Sequence, residues 1–175
     1  MIDNDHIVDF LRRSATDVLS TMVGIEMEVR PWRLETEAPT VGDGVLAVVG
    51  LGGAYTGAGW FICSAAFARE ICSRMLMTEA TSVDEEVLDA VGEFTNMVIG
   101  NFKTMVEERV GALGLSIPTV IYGRNFTSRS VGQGDWIVQP FGFEAETMEI
   151  RVCLSPSREP SVARPGFAHP AALTV

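Results

Sequence analysis

Histidine, lysine and paired cysteine are nearly missing from this chain of 175 residues, and each shortage removes a class of chemistry. Only His6 and His169 occur, one near each terminus. Neither a histidine-based metal set nor a nucleophile–histidine–acid arrangement can be assembled from them. The cysteines, Cys63, Cys72 and Cys153, are odd in number and have no Cys-x-x-Cys spacing. They read as small buried hydrophobes in a reducing compartment, without a disulfide framework. Basic residues are scarce: Lys+Arg of 13 against Asp+Glu of 23 gives 13 − 23 = −10, and Lys103 is the only lysine. No basic patch is available for counterion release, which excludes nucleic acid and anionic membrane as expected partners. The start, Met-Ile-Asp-Asn-Asp-His, has neither the basic nor the apolar region of a signal peptide, so a cytoplasmic protein is expected. Residues Gly44 to Ala68 carry no charge. Their glycines at 50, 52, 53, 57 and 59 make them two strands joined by a turn rather than a membrane helix. Those glycines include no phosphate-binding loop signature.

What is present fits one well-cored domain over residues 1–155, followed by a weakly packed tail over 156–175. Apolar positions Ile7, Phe10, Leu11, Ala15, Val18, Leu19 and Met22 have helical spacing, with Gly24 as a stop. Glu26 to Pro31 alternates as a strand, Leu34 to Gly44 reads as a loop, and Val45–Leu51 with Ala58–Cys63 reads as a hairpin. A short helix capped by Ser64 follows. A long helix then opens at Ser82, where Glu85 completes a capping box, and runs to about Val110. Strands are expected at Ser116–Tyr122, Trp136–Phe141 and Thr147–Leu154. The fold class is therefore α+β. Its pattern is a degenerate duplication of helix–three-strand units, with a largely antiparallel sheet packed against two long helices.

The long helix carries the most informative segment, Asp89-Ala-Val-Gly-Glu93-Phe-Thr-Asn96-Met-Val-Ile-Gly100-Asn-Phe-Lys103. At roughly 100° per residue, Asp89, Glu93, Asn96, Gly100 and Lys103 fall in one stripe. Val87, Val91, Phe94, Val98, Phe102 and Met105 fall about 180° away. The helix thus has an apolar back and a polar front. Asp89 and Glu93 alone make a poor active site, because acids one turn apart on a solvated face are common. Glu93 with Asn96 is a more useful unit. A carboxamide both donates and accepts, so it can hold a water against a phosphoryl group, while a carboxylate one turn away can bind a cation on a partner. The residues alone support a polar helix face that docks another protein.

The pattern Asp89-x3-Glu93-x2-Asn96, with the following glycine and lysine and then Pro118, resembles the signature of the CheX/CheC/FliY family of chemotaxis phosphatases. The resemblance extends to Phe10-Leu…Val18-Leu19-x-Thr21-Met22, Val48-Val-Gly-Leu-x-Gly53, Ala68-x-x-Ile71-x-x-x-Met75-Leu76 and Pro140-Phe141-x-x-Glu144. The first helix has Thr16 and Asp17 but no Glu-x-x-Asn, so the chain is similar to the single-site CheX branch. That resemblance implies dephosphorylation of a phosphorylated CheY-type response regulator. Asn96 would orient the attacking water, and Glu93 would pair with the regulator's active-site lysine. Asp89 and Lys103 match outer positions of the motif and would support the pair. Pro118 would shape the strand after the helix. From the stripe itself, Gly100 is expected to leave room for the partner's backbone. No cofactor or metal of the chain's own is implied, since the Mg²⁺ belongs to the regulator. A homodimer joined through its sheets is implied as well. Two other readings stand beside the enzyme: a CheX-like adaptor that binds a receiver without hydrolysis, and a dimeric scaffold on which Glu93 and Asn96 are plain surface.

Overall fold

A computed structural model describes residues 2–36, 40–128 and 135–157. It is α+β, with three helices on one face of a single sheet whose strand pairs are all antiparallel. Helix α1 (Asn4–Val18) is capped by Asp3, whose carboxylate accepts from the His6 amide, and it widens into a π turn over Leu19–Val23. Gly24 ends it at φ 68°, a left-handed conformation that glycine adopts without steric cost.

Strands β1 (Glu28–Val29), β2 (Arg33–Glu35), β3 (Thr40–Gly53) and β4 (Tyr55–Ser64) come next, then helices α2 (Ala65–Leu76) and α3 (Glu85–Val110). Strands β5 (Leu113–Leu115), β6 (Thr119–Thr127), β7 (Trp136–Phe143) and β8 (Glu146–Pro156) complete the order. Across the sheet the sequence is β1 and β2 side by side on β7, then β8, β4, β3, and β5 with β6 on the far edge.

This order is an interlocked duplication. Each half supplies a helix, a broken strand and a hairpin, and the broken strand of each half pairs with the hairpin of the other. The break has the same form in both. From Val29 to Arg33 the chain takes four steps while β7 takes three, from Phe141 to Val138. From Leu115 to Thr119 it again takes four while β3 takes three, from Leu51 to Val48. A proline, Pro31 or Pro118, lies inside each bulge, where no ladder N–H is needed.

Several local boundaries differ from the sequence reading. Residues 34–44 are not one loop, because β2 and the start of β3 reach into them. Hydrogen bonds to β7 and β6 override the local loop signal of the glycines there, while residues 37–39 lie outside the described residues. The strand expected over 26–31 shrinks to Glu28–Val29 for the converse reason, the bulge at Pro31. Strand β8 runs to Pro156, and Ser157 donates to the Ala54 carbonyl; of the expected tail, residues 158–175 lie outside the described residues.

The inner face of the sheet (Val45, Ala47, Val49, Phe61, Ile150, Val152) packs against the helices, with every one of these side chains at most 1% exposed. A second, smaller cluster of Leu46, Trp60, Trp136 and Val138 lies on the outer face, where the two indoles meet at a 44° tilt with 4.4 Å between centroids. Beside it, Arg33, Glu35, Glu149 and Arg151 close a ring of ion pairs at 2.5–2.7 Å that ties β2 to β8. Arg151 is buried there and fully paired, as a buried guanidinium must be.

Candidate functional site: the front of the long helix

Helix α3 is seated deeply along its back. Val87, Val91, Phe94 and Phe102 are fully buried, Val98 is 1% exposed, and Phe94 meets Phe61 of β4 at 4.9 Å between ring centroids. Met105, the last member of the expected apolar stripe, is only half-buried. The buried arc also takes in Ala90, Gly92, Thr95, Ile99 and Val106. Thr95 satisfies its buried hydroxyl by donating to the Val91 carbonyl at 2.7 Å.

The cap of α3 differs from the expected one. Asp84, not Ser82, is the N-cap: its carboxylate accepts from the Val87 amide at 3.1 Å. A full negative charge at the positive end of the helix dipole competes better than a hydroxyl two residues earlier. With Glu85 and Glu86 in the first turn, the head of the helix is strongly acidic.

The opposite side of α3 carries the predicted polar residues. Asp89 and Glu93 are exposed, and Asn96 and Gly100 are half-buried. Glu93 and Asn96 are three residues apart, about 4.5 Å along the axis. Among the described residues, neither the Glu93 carboxylate, the Asn96 carboxamide nor the Asp89 carboxylate accepts or donates a side-chain hydrogen bond within the chain. Their polar atoms are all available to another molecule. Lys103 differs: its Nζ lies 2.7 Å from Glu107, whose other oxygen accepts from the Leu113 amide. That chain fastens the end of α3 to β5 at Glu107, about 16.5 Å along the axis from Asn96. The Glu107 carboxyl is held below its usual value, first by the hydrogen bond from Lys103 and then by the Leu113 amide.

One glycine, Gly92, lets the sheet edge approach this helix closely. A Cβ at Gly92 would meet Val120 Cγ2 at 3.2 Å and the Pro118 ring at 3.8 Å, so the β5–β6 bulge lies directly against α3. At Gly100 the nearest atom is Leu115 Cδ1 at 3.8 Å, an ordinary contact. Pro118 is thus part of the bulge flanking the helix, and its neighbour Ile117 is 85% exposed. Sequence reasoning missed Gly92, because a glycine inside a helical pattern shows no periodicity of its own; its place one turn before Asn96 was the available signal.

Helix α1 lies alongside, antiparallel to α3. Ser14 Oγ donates to the Val98 carbonyl, and the Arg109 charge reaches Asp3, whose carboxyl is held low first by the His6 amide. No group of three metal-ligating side chains occurs among the described residues, and no described helix is long and apolar enough to cross a membrane. The three cysteines are free.

The family model described as chemotaxis phosphatase CheX matches residues 45–142, which includes the whole of α3. The chain belongs to the CheX family. A CheX protein from Vibrio vulnificus is similar at 30% identity, over 85% of this chain and 99% of that one, with a TM-score of 0.76. A CheX protein from Desulfovibrio desulfuricans is similar at 28% identity, over 85% and 99% of the two chains, with a TM-score of 0.78. The fold is also that of the CheX in a CheX–CheY–BeF3–Mg complex from Borrelia burgdorferi, at 22% identity over 88% and 99% and a TM-score of 0.75. No curated protein matches the chain in sequence.

Proposed function

We propose that this CheX-family protein accelerates hydrolysis of the aspartyl phosphate of a CheY-type response regulator, and that Glu93 and Asn96 carry the activity. The observation that supports this most directly is their placement. Two side chains of complementary chemistry stand one turn apart on the open face of a helix whose back is locked into the core, with no side-chain hydrogen bond to either among the described residues. The Borrelia relative, seen with CheY bound to BeF3 and Mg, supports the same class of partner.

In this reading the Asn96 carboxamide accepts from the attacking water through its oxygen and donates to the phosphoryl group through its nitrogen, fixing the water in line. Glu93 accepts from the regulator's lysine ammonium and so fixes where the amide lands. Asp89 adds negative charge behind Glu93. Gly100 and Pro118 shape the surface on which the regulator rests. Lys103 keeps the end of α3 in place through Glu107. The chain needs no metal of its own, because the Mg²⁺ resides in the regulator and balances the phosphoryl charge there.

A homodimer in the cytoplasm completes the proposal. Among the described residues strand β6 pairs only with β3 and its other edge carries no strand, with Ile121 and Tyr122 each 41% exposed. An open edge with apolar neighbours is a template for a second strand.

The test uses a receiver of the source organism, phosphorylated and then separated from its phosphodonor. Wild-type protein should speed phosphate loss. Asn96→Ala should remove about a hundredfold or more of that acceleration while still binding, and Glu93→Ala should weaken binding as well. No acceleration on any receiver of the organism would end the phosphatase reading. Binding without acceleration would leave the adaptor.

A further inference from the structure

The bulge between β5 and β6 runs beside α3 at the level of Asn96. Gly92 and Gly100 are each four residues from Asn96, so on a helix they stand about 6 Å before and after it and about 40° to either side. Both touch this edge: Pro118 Cβ lies 3.8 Å from a Cβ built at Gly92, and Leu115 Cδ1 lies 3.8 Å from one built at Gly100. Asn96 thus emerges against the stretch from Leu115 to Pro118 and is half-buried, whereas Glu93, about 60° further round, is exposed. Ile117 lies within that stretch and is 85% exposed.

A lone exposed isoleucine is ordinary on a protein surface. This one is held out on a fixed backbone. The Ser116 amide donates to the Gly50 carbonyl at 2.9 Å. The Ser116 hydroxyl accepts from the Gly50 amide at 2.8 Å and donates to the Ile117 carbonyl at 2.9 Å. On the other side Pro118 restricts the backbone of the residue before it. The bulge itself does not require an aliphatic side chain there. At the twin bulge the Arg30 amide donates to the Pro140 carbonyl as Ser116 does to Gly50, so the position matching Ile117 is Pro31. Helix α1 beside that twin carries no Glu-x-x-Asn. The exposed isoleucine and the carboxylate–carboxamide pair therefore occur together, in the second half of the chain.

Polar contacts made by Glu93 and Asn96 set direction more than affinity, because water competes for each of them. Apolar area buried beside them supplies net binding, and a backbone already held in place loses little freedom on contact. We infer that Ile117 is the apolar anchor of the receiver-docking surface, packing into an apolar depression next to the receiver's phosphoryl site while Asn96 reaches the phosphoryl group. The inference rests on the reading that the front of α3 docks a phosphorylated receiver. Ile117 is a binding residue in it and takes no part in hydrolysis.

The test is an equilibrium titration of the full chain against a receiver of the source organism loaded with Mg²⁺ and beryllofluoride, at about 50 mM and about 500 mM salt. Ile117→Ser should weaken binding about tenfold, by the same factor at both salts, because the lost contact carries no charge. Ile117→Leu, which keeps the apolar volume, should bind within about threefold of wild type. Turnover at saturating phosphorylated receiver and the urea midpoint of unfolding should stay at their wild-type values in both variants, since the side chain is exposed in the free protein. Leu34→Ser, 47% exposed on β2 at the opposite end of the sheet, is the control and should bind like wild type. Wild-type affinity in Ile117→Ser overturns the inference, and so does an equal loss in Leu34→Ser. A loss of binding that tracks dissociation of a dimer in sedimentation assigns Ile117 to a contact with a second copy and overturns it too. If Asn96→Ala loses turnover while Ile117→Ser binds normally, the phosphatase reading stands and the anchor falls. Wild-type protein that binds without hydrolysing loses the phosphatase reading, and a tenfold loss in Ile117→Ser then still supports the anchor. Wild-type protein that does not bind the loaded receiver overturns both.

Discussion

Adding a single methyl group at Gly59 should disturb helix α3 from the far side of the core. Gly59 is on β4, paired with Val49 and Val152, and its missing side chain leaves the seat into which Ile99 of α3 drops. A Cβ built there would lie 2.5 Å from Ile99 Cδ1, 2.9 Å from Cγ1 and 3.1 Å from Cγ2. Ordinary carbon contacts are about 3.5–4.0 Å, so the closest approach is short by about 1 Å. Three atoms of one branched side chain are involved, and a helical isoleucine has almost one χ1 choice, so it cannot swing aside. Overpacking of this kind costs about 1–3 kcal/mol. Replacing a glycine returns about 0.4–1 kcal/mol by restricting the unfolded chain. The net for Gly59→Ala is then a loss of about 1–2 kcal/mol, read from urea unfolding followed by tryptophan fluorescence. Ile99→Val removes the atom of closest approach. Alone it should cost about 0.5–1.5 kcal/mol, but combined with Gly59→Ala the sum should fall short by at least about 0.5 kcal/mol. Because Ile99 is three residues from Asn96, Gly59→Ala should also slow dephosphorylation about three- to tenfold, without any change in the site's chemistry. A loss below about 0.5 kcal/mol, or strict additivity in the double variant, would refute the claim that Gly59 sets the depth of α3.

Other outcomes can be checked in the same assays. Asp84→Ala should destabilise the fold by about 1 kcal/mol, whereas Ser82→Ala should stay within about 0.3 kcal/mol; the reverse order would restore Ser82 as the cap. The ion-pair ring on the outer face predicts an acid dependence. Burial raises the Glu35 carboxyl, but the hydrogen bond from Arg33 and the charge of Arg151 outweigh it, so its folded value lies below the ordinary 4.5. A depressed carboxylate stabilises the fold above its unfolded value and loses that contribution as pH falls through the folded one. The thermal midpoint should therefore drop between about pH 5 and pH 3, and Glu35→Gln should flatten that drop; an unchanged slope would remove the ring from the account. Replacing Lys103 with methionine should free the Glu107 carboxylate from its ion pair and loosen the α3–β5 junction, seen as faster amide exchange at Leu113 with Asn96-dependent turnover retained.

The periodic parts of the chain carried their own structure. Helix α3 and its two faces follow from the spacing of Val87, Val91, Phe94 and Val98 against Asp89, Glu93 and Asn96, since one helical period sorts them whatever they pack against. The Val45–Leu51 and Ala58–Cys63 hairpin is legible for the same reason, and α1 stops at Gly24 because few other residues take that backbone turn. Glu93 and Asn96 were legible from spacing only as polar residues on one helix face, and the chemistry expected of them came from the resemblance to the CheX/CheC/FliY family. Other features depended on residues far apart in sequence. Only the register of β1–β2 on β7, and of β5–β6 on β3, makes the duplication interlocked and turns Pro31 and Pro118 into members of the same bulge. Only packing explains why Gly92 and Gly59 are glycines, the one for Val120 and the other for Ile99. Only the seating of α1 puts Arg13 and Thr16 across a groove from Asn101 and Thr104. Local spacing decides which way a side chain faces. What it faces is decided by where the rest of the chain returns, and long-range pairing energies carry no local signature.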